Sequence, residues 1–218
     1  MQLSVSRHKA QKPLPTDIVN QVLKRDDHSC HYCQFRAEKY QLIHHLDGNP
    51  NNQTLANMVT TCMFCHQCFH LEDVAPMGSG VLIWMPEISQ PDLNNLARSI
   101  YIARISQGVM AETAKSMLEV IMERRNDARN RLGTDDPFVL ATVLTDFLTK
   151  QAYERRNEKL DGVRLFPLDR RKIREGGLEF NQFPQILAYW RSKQGPFAGH
   201  PPLEWLPRYK DMLLPEAA

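Results

Sequence analysis

The sequence predicts an α+β chain: a small metal-binding module, then a mainly α-helical domain, then a Pro-rich C-terminal tail. Three observations point there. Two CxxC pairs, Cys30/Cys33 and Cys62/Cys65, stand 28 residues apart, apolar residues recur at helical spacing from Leu93 to Leu148, and five prolines follow Gly195. At 218 residues the chain is long enough to bury a core in one or two domains. The change of periodicity places a boundary near residue 90, with the module over 1–90 and the helical domain with its extended tail over 91–218.

The elements come in chain order. Residues 15–25, PTDIVNQVLKR, read as a helix capped by Thr16 or Asp17, with Ile18, Val22 and Leu23 on one face. After the two CxxC turns comes a Gly/Ser loop, Met77-Gly78-Ser79-Gly80, then the apolar strand candidate Val81 to Met85. Pro91 suits a first helical turn, and Leu93, Leu96, Ala97, Ile100 and Tyr101 share one face, with Gly108 expected to end that helix. A second helix carries Ala114, Met117, Leu118, Ile121 and Met122 and stops near Gly133. A third opens at Asp136-Pro137, a cap followed by a first-turn proline, and points Leu140, Val143, Leu144, Phe147 and Leu148 inward. The tail, with Trp205 and Tyr209, is expected to be extended with a short helical turn.

The formal net charge of +2 is unevenly spread. Residues 1–75 hold seven Lys/Arg and seven Asp/Glu, whereas 98–175 hold sixteen against twelve, so the basic excess lies outside the cysteine region. No run approaches the roughly 18 apolar residues of a membrane span, and the N-terminal residues lack an apolar signal core. The expectation is a cytoplasmic protein that meets a membrane only through partners.

A cytoplasm keeps thiols reduced, so paired CxxC motifs read as a metal site. Each turn sets two sulfurs on one side of a tight loop, and two turns together supply the four thiolates of tetrahedral zinc at about 2.3 Å. Buried free thiols or a redox pair would not account for the motif occurring twice. Losing a structural zinc costs on the order of 10 kcal/mol of apparent folding free energy, so the module is expected to depend on it. Cys68 lies one further step along, either in a second site or as a small buried apolar residue.

Around the cysteines lie Ile43-His44-His45-Leu46-Asp47-Gly48, Asn57-Met58-Val59 and Cys62-Met63-Phe64-Cys65-His66-Gln67-Cys68-Phe69-His70. With Val22-Leu23-Lys24-Arg25-Asp26 before them, these residues resemble the zinc-containing branch of the HNH endonucleases over about the first 75 residues. The resemblance implies a ββα module whose cysteine zinc is structural. It also implies His45 as a general base, Asn57 as the residue orienting its loop, and His44, His66 and His70 as ligands of a second divalent metal. That is the chemistry of phosphodiester hydrolysis, which needs activated water and a cation on the departing oxygen. His66 and His70 are four apart, so on a helix their rings share a side. Against catalysis stands charge: residues 24–75 carry four basic and six acidic side chains, a poor face for a polyanion.

The whole chain further resembles a component of the Dot/Icm type IVB secretion systems of intracellular bacteria, through RDDHSCHYC, LIHHLDGNPNN and TTCMFCHQCFHLEDVAPMGSG. That resemblance implies an adaptor subunit of the coupling complex, held at the inner membrane by the coupling ATPase DotL and the other coupling subunits. Nucleic acid is then not among its expected partners. The alternative is a metal-dependent HNH endonuclease with His45 as base.

Overall fold

The computed structural model describes residues 1–6, 13–205 and 207. The first helix, α1, spans Thr16–Arg25 and buries Val22; Pro15, not Thr16 or Asp17, occupies its N-cap, and no side chain caps it. Its C-terminal end is tied to the next element. Arg25 donates to the Leu55 and Met58 carbonyls, both at 2.7 Å, and the Asp26 carboxylate accepts the Thr60 N–H at 2.7 Å. Strands β1 (Gln41–His45) and β2 (Met58–Cys62) pair antiparallel with His44 opposite Val59 and His45 opposite Met58.

From β2 the chain enters α2 (Met63–His66), a 3₁₀ turn at Gln67–Phe69 and α3 (Leu71–Met77), which Gly78 ends in the left-handed region at φ 61°. Strand β3 (Gly80–Trp84) comes next, where the apolar run predicts it. Helix α4 (Gln90–Arg104) begins at Ser89, whose hydroxyl accepts the Asp92 N–H at 3.3 Å, and Pro91 sits in its first turn. This helix stops at Arg104; Gly108, expected to end it, instead occupies the N-cap of α5 (Val109–Leu132) at φ 77°. Gly133, at φ 75°, ends α5 as expected, because only a residue without a Cβ takes this conformation cheaply.

Helix α6 (Pro137–Thr142) is capped by the Asp136 carboxylate, which accepts the Phe138 N–H at 2.8 Å. It then widens into a π turn over Val143–Phe147. The wider turn rotates the later side chains off the buried stripe. Leu140 and Leu144 stay inside, but Phe147, expected inward, is 75 % exposed. Met117 and Val143, also expected inward, are 40 % and 39 % exposed. Two short helices complete this stretch, α7 (Lys150–Glu154) and α8 (Arg156–Lys159).

The chain beyond residue 90 also holds three strands that its pattern did not announce: β4 (Val163–Pro167), β5 (Lys172–Glu175) and β6 (Leu178–Asn181). Strand β4 pairs antiparallel with β3, Trp84 opposite Val163, while β5 and β6 form a separate hairpin. Helix α9 (Phe183–Arg191) completes the core. Of the expected tail, residues 202–204 form a 3₁₀ turn; Tyr209 and all residues from 208 lie outside the described ones.

One buried cluster joins the four cysteines and Phe64 to Ile83, Leu93, Ala97, Ile100, Phe166, Phe183, Ile186 and Trp190. A second gathers Leu3, Val5, Cys68, Leu71, Val74 and Leu82 with Leu140, Leu144 and Leu165. Residues before and after position 90 therefore bury against each other, each large apolar side chain contributing about 1.5–3 kcal/mol. Among the described residues no helix is long and apolar enough to cross a membrane.

Candidate metal centre

The first CxxC turn is shaped by backbone bonds. Cys30 N–H donates to the Phe35 carbonyl at 3.0 Å, Gln34 N–H to the Cys30 carbonyl at 2.9 Å, and His31 N–H to the Thr60 carbonyl at 2.8 Å. The last of these lays the turn on β2. The second turn begins at Cys62, the last residue of β2, whose Sγ accepts the Cys65 N–H at 3.4 Å. Cys30, Cys33, Cys62 and Cys65 thus meet as four buried sulfurs, all within 4.8 Å of one another.

The donor set fits zinc. Cys33 Sγ and Cys62 Sγ are 3.6 Å apart, too far for a disulfide and close to the ~3.8 Å that tetrahedral bonds of about 2.3 Å require. Thiolate ligands with no oxygen donor favour zinc over magnesium or calcium. Burial first, then the neighbouring sulfurs, push the Cys62 thiol well above its ordinary pKa, so without a metal ion the protonated form of this sulfur is favoured. A bound metal reverses that balance.

Helix α4 completes the surroundings of the sulfurs. The buried Arg98 guanidinium donates to Cys62 Sγ at 2.6 Å and reaches Cys33 Sγ at 3.6 Å; Asn94 Nδ2 donates to Cys65 Sγ at 3.3 Å, and Asn95 Nδ2 to the Cys33 carbonyl at 3.1 Å. None of the three was anticipated from the sequence. A readable signal existed: Asn94 and Arg98 share a face of α4 with the apolar stripe, and no acidic residue stands three or four positions from Arg98 to pair with it.

Cys68 stands apart from the four. It is fully buried in the second cluster and donates to the Phe64 carbonyl at 3.3 Å, and burial raises its pKa. It is a small core residue, as the apolar alternative holds.

Beside the cysteines, a cleft of about 690 Å³ is lined by His44, His45, His66, His70, Tyr32, Phe69, Asp47 and residues of the N-terminal segment. His44, His66 and His70 bring ligand nitrogens within 4.8 Å of one another. The predicted single helix under His66 and His70 is broken, since His66 ends α2 and His70 is non-helical at φ −135°, yet the two rings stack at 4.2 Å. His44 stacks on Phe69 at 4.2 Å. Burial, then the charge of His70, lower the pKa of His44 to about 4, and burial likewise lowers His66, so both rings are neutral near pH 7 and have lone pairs to offer a metal. His45 is lowered by burial too, and its buried Nε2 has no hydrogen-bond partner.

Asn57 holds the loop after His45. Its Nδ2 donates to Asp47 Oδ1 at 2.9 Å and to the Asn52 carbonyl at 3.0 Å, while its Oδ1 accepts the Asp47 N–H at 3.0 Å. The Asn49 N–H, then Asn52 and Asn57, hold the Asp47 carboxyl at about 2. That depressed value supplies stability present above the unfolded value of 3.8 and lost as pH falls toward 2. Asn57→Ala is expected to move the Asp47 titration midpoint upward, read by NMR of its carboxyl carbon. An unmoved midpoint would mean Asn49 and Asn52 hold the loop alone.

No family model matches the chain. A type 4 apparatus protein, DotN of Legionella pneumophila, is 32 % identical to it over 158 residues, 71 % of this chain and 73 % of the relative. With that identity over that share of both sequences, the protein belongs to the DotN (IcmJ) family of type 4 apparatus proteins.

Proposed function

We propose that this chain is a zinc-stabilised, HNH-nuclease-like adaptor subunit of the Dot/Icm type IVB secretion coupling complex, without nuclease activity. The observation that carries the reading is kinship to a type 4 apparatus protein over most of both chains. In this reading residues 1–90 are the HNH-like zinc module and 91–218 the helical domain with its tail. The chain docks on the coupling ATPase DotL and the other coupling subunits from the cytoplasmic side of the inner membrane and supports effector recruitment. Two features of the site agree with it. The cysteine centre is enclosed by core side chains, which suits a structural ion with no open position for substrate. Among its described lining residues the histidine cleft offers little to a polyanion: there Arg156 is the one Lys or Arg, and its guanidinium is committed to the Leu3 and Tyr153 carbonyls at 3.0 Å.

The test pairs two measurements. His45→Ala is expected to co-purify with DotL and to support effector translocation at the parental level. Failure of the unmodified chain to co-purify with DotL would sink the docking reading, and loss of translocation in a well-folded His45→Ala protein would sink the adaptor reading.

A second reading, a metal-dependent HNH endonuclease, is favoured by the grouping of His44, His66 and His70 beside His45 with its unpartnered Nε2, and by Asn57 on the adjoining loop. It requires plasmid cleavage that depends on added divalent metal and disappears in His45→Ala.

A further inference from the structure

Among the described residues Arg98 is the one buried Lys or Arg, at 1 % exposure. A guanidinium so placed needs an anion, because burying an uncompensated charge is heavily penalised. Its surroundings supply no carboxylate. The partners are Asn95 Oδ1 at 2.5 Å, Cys62 Sγ at 2.6 Å, Cys33 Sγ at 3.6 Å, and the faces of Phe35 at 4.1 Å and Phe64 at 5.1 Å; Nε has no partner. A divalent ion on four thiolates carries a net charge of −2. The arrangement of a lone buried cation and four sulfurs is mutually satisfying only when the sulfurs are anionic.

We infer that Arg98 is the fixed counter-charge of the four-cysteine centre, a positioning residue in α4 on which retention of the metal depends. This rests on the reading of the four cysteines as a zinc site. With Arg98 in place the centre and its neighbour sum to −1, a smaller charge to hold in a low-dielectric core. The connection runs further. Asn94, which donates to Cys65, accepts from Gln90 Nε2 at 3.0 Å, and Gln90 in turn exchanges hydrogen bonds with the Leu165 carbonyl and N–H of β4 at 2.7 and 2.8 Å. The metal thereby binds together segments that the sequence separates, and α4 docks fully only against a charged, metal-filled cluster.

The test uses the full chain as purified, with Arg98→Met, which keeps length and loses charge, and Arg98→Lys, which keeps charge and loses the planar fork. Zinc per chain is measured by elemental analysis, and zinc affinity by competition with a chromogenic chelator. Arg98→Met is expected to bind zinc about 10–100-fold more weakly, the usual size of effect for removing a residue that supports a metal ligand, and Arg98→Lys to recover part of the loss. A purely structural role would lower the melting temperature of Arg98→Met while leaving its zinc affinity unchanged, and that result overturns the inference. Should Arg98→Met fail to fold, Arg98→Lys decides: a measurable loss that stays within about tenfold of the parent supports the charge account, and an unchanged affinity or a greater loss overturns it. A parent protein purified without any metal overturns the zinc reading itself and this inference with it, whereas zinc-loaded variants of unchanged affinity overturn the inference alone.

Discussion

Cys62→Ser is expected to abolish cooperative folding and to leave the protein without bound zinc, and chelation of the unmodified chain is expected to do the same. Cys62 is the sulfur on which the centre converges: it is 1 % exposed, 3.6 Å from Cys33, and accepts from both Arg98 and the Cys65 N–H. A structural zinc supplies roughly 10–16 kcal/mol of apparent folding free energy, against total stabilities of about 5–15 kcal/mol for ordinary domains. Removing one ligand therefore removes as much as the fold has to spare, and it also strands three sulfurs and the Arg98 cation in the core. Because Phe64, Phe183 and Trp190 share a buried cluster with those sulfurs, the damage extends into the second half of the chain. Near-UV circular dichroism, thermal melting and zinc content report the outcome. A soluble Cys62→Ser protein with unchanged melting and a full complement of zinc would refute the structural-metal account. Cys68→Ser provides the contrast: that thiol lies outside the four, so a cost of roughly 1–3 kcal/mol with zinc content unchanged is expected.

Trp190→Ala is expected to destabilise the protein by about 3–5 kcal/mol, the range for deleting a large aromatic from a packed core. Trp190 is 1 % exposed and meets Phe35 at 5.5 Å, Phe64 at 5.6 Å and Phe183 at 6.0 Å, all in edge-to-face geometry. Phe35 and Phe64 belong to the two cysteine turns, so the ring is a plug contributed by α9 to the four-cysteine cluster. Urea unfolding with zinc in excess isolates this packing contribution from metal loss. A cost below about 1 kcal/mol would show that the neighbouring rings close the cavity without it. Leu178→Ala, on the outer hairpin at 73 % exposure, is expected to stay within about 0.5 kcal/mol.

Much of this was legible in the sequence because it depends on local spacing. The CxxC turns carry their own geometry, so four sulfurs could be grouped before any fold was known. Helices α1, α4 and α5 announced themselves through apolar periodicity, and Asp136 and Gly133 mark ends whose chemistry is contained in one or two residues. Strand β3 was readable from five apolar residues in a row. Errors arose where a neighbour overrides the local signal. Phe147 fits the α6 stripe by spacing, and the π turn carries it outward; Gly108 looks like a helix end and serves as a helix start. Strands β4 to β6 are four or five residues long, too short to show a period, and β4 exists as a strand because β3 offers it an edge.

The same division holds for the site. The grouping of the four cysteines and the presence of histidines near them were contained in the residue types and their spacing, and the resemblance placed Asn57 in its loop. Only the folded chain could bring Arg98 and Asn94 to the sulfurs and Asn95 to the Cys33 carbonyl, since they lie at least 29 positions beyond the cysteines they meet and their contacts cross the core. Hydrogen bonds and charge act over a few ångströms, whatever the distance along the chain, so a partner supplied by another helix leaves no mark in the local pattern.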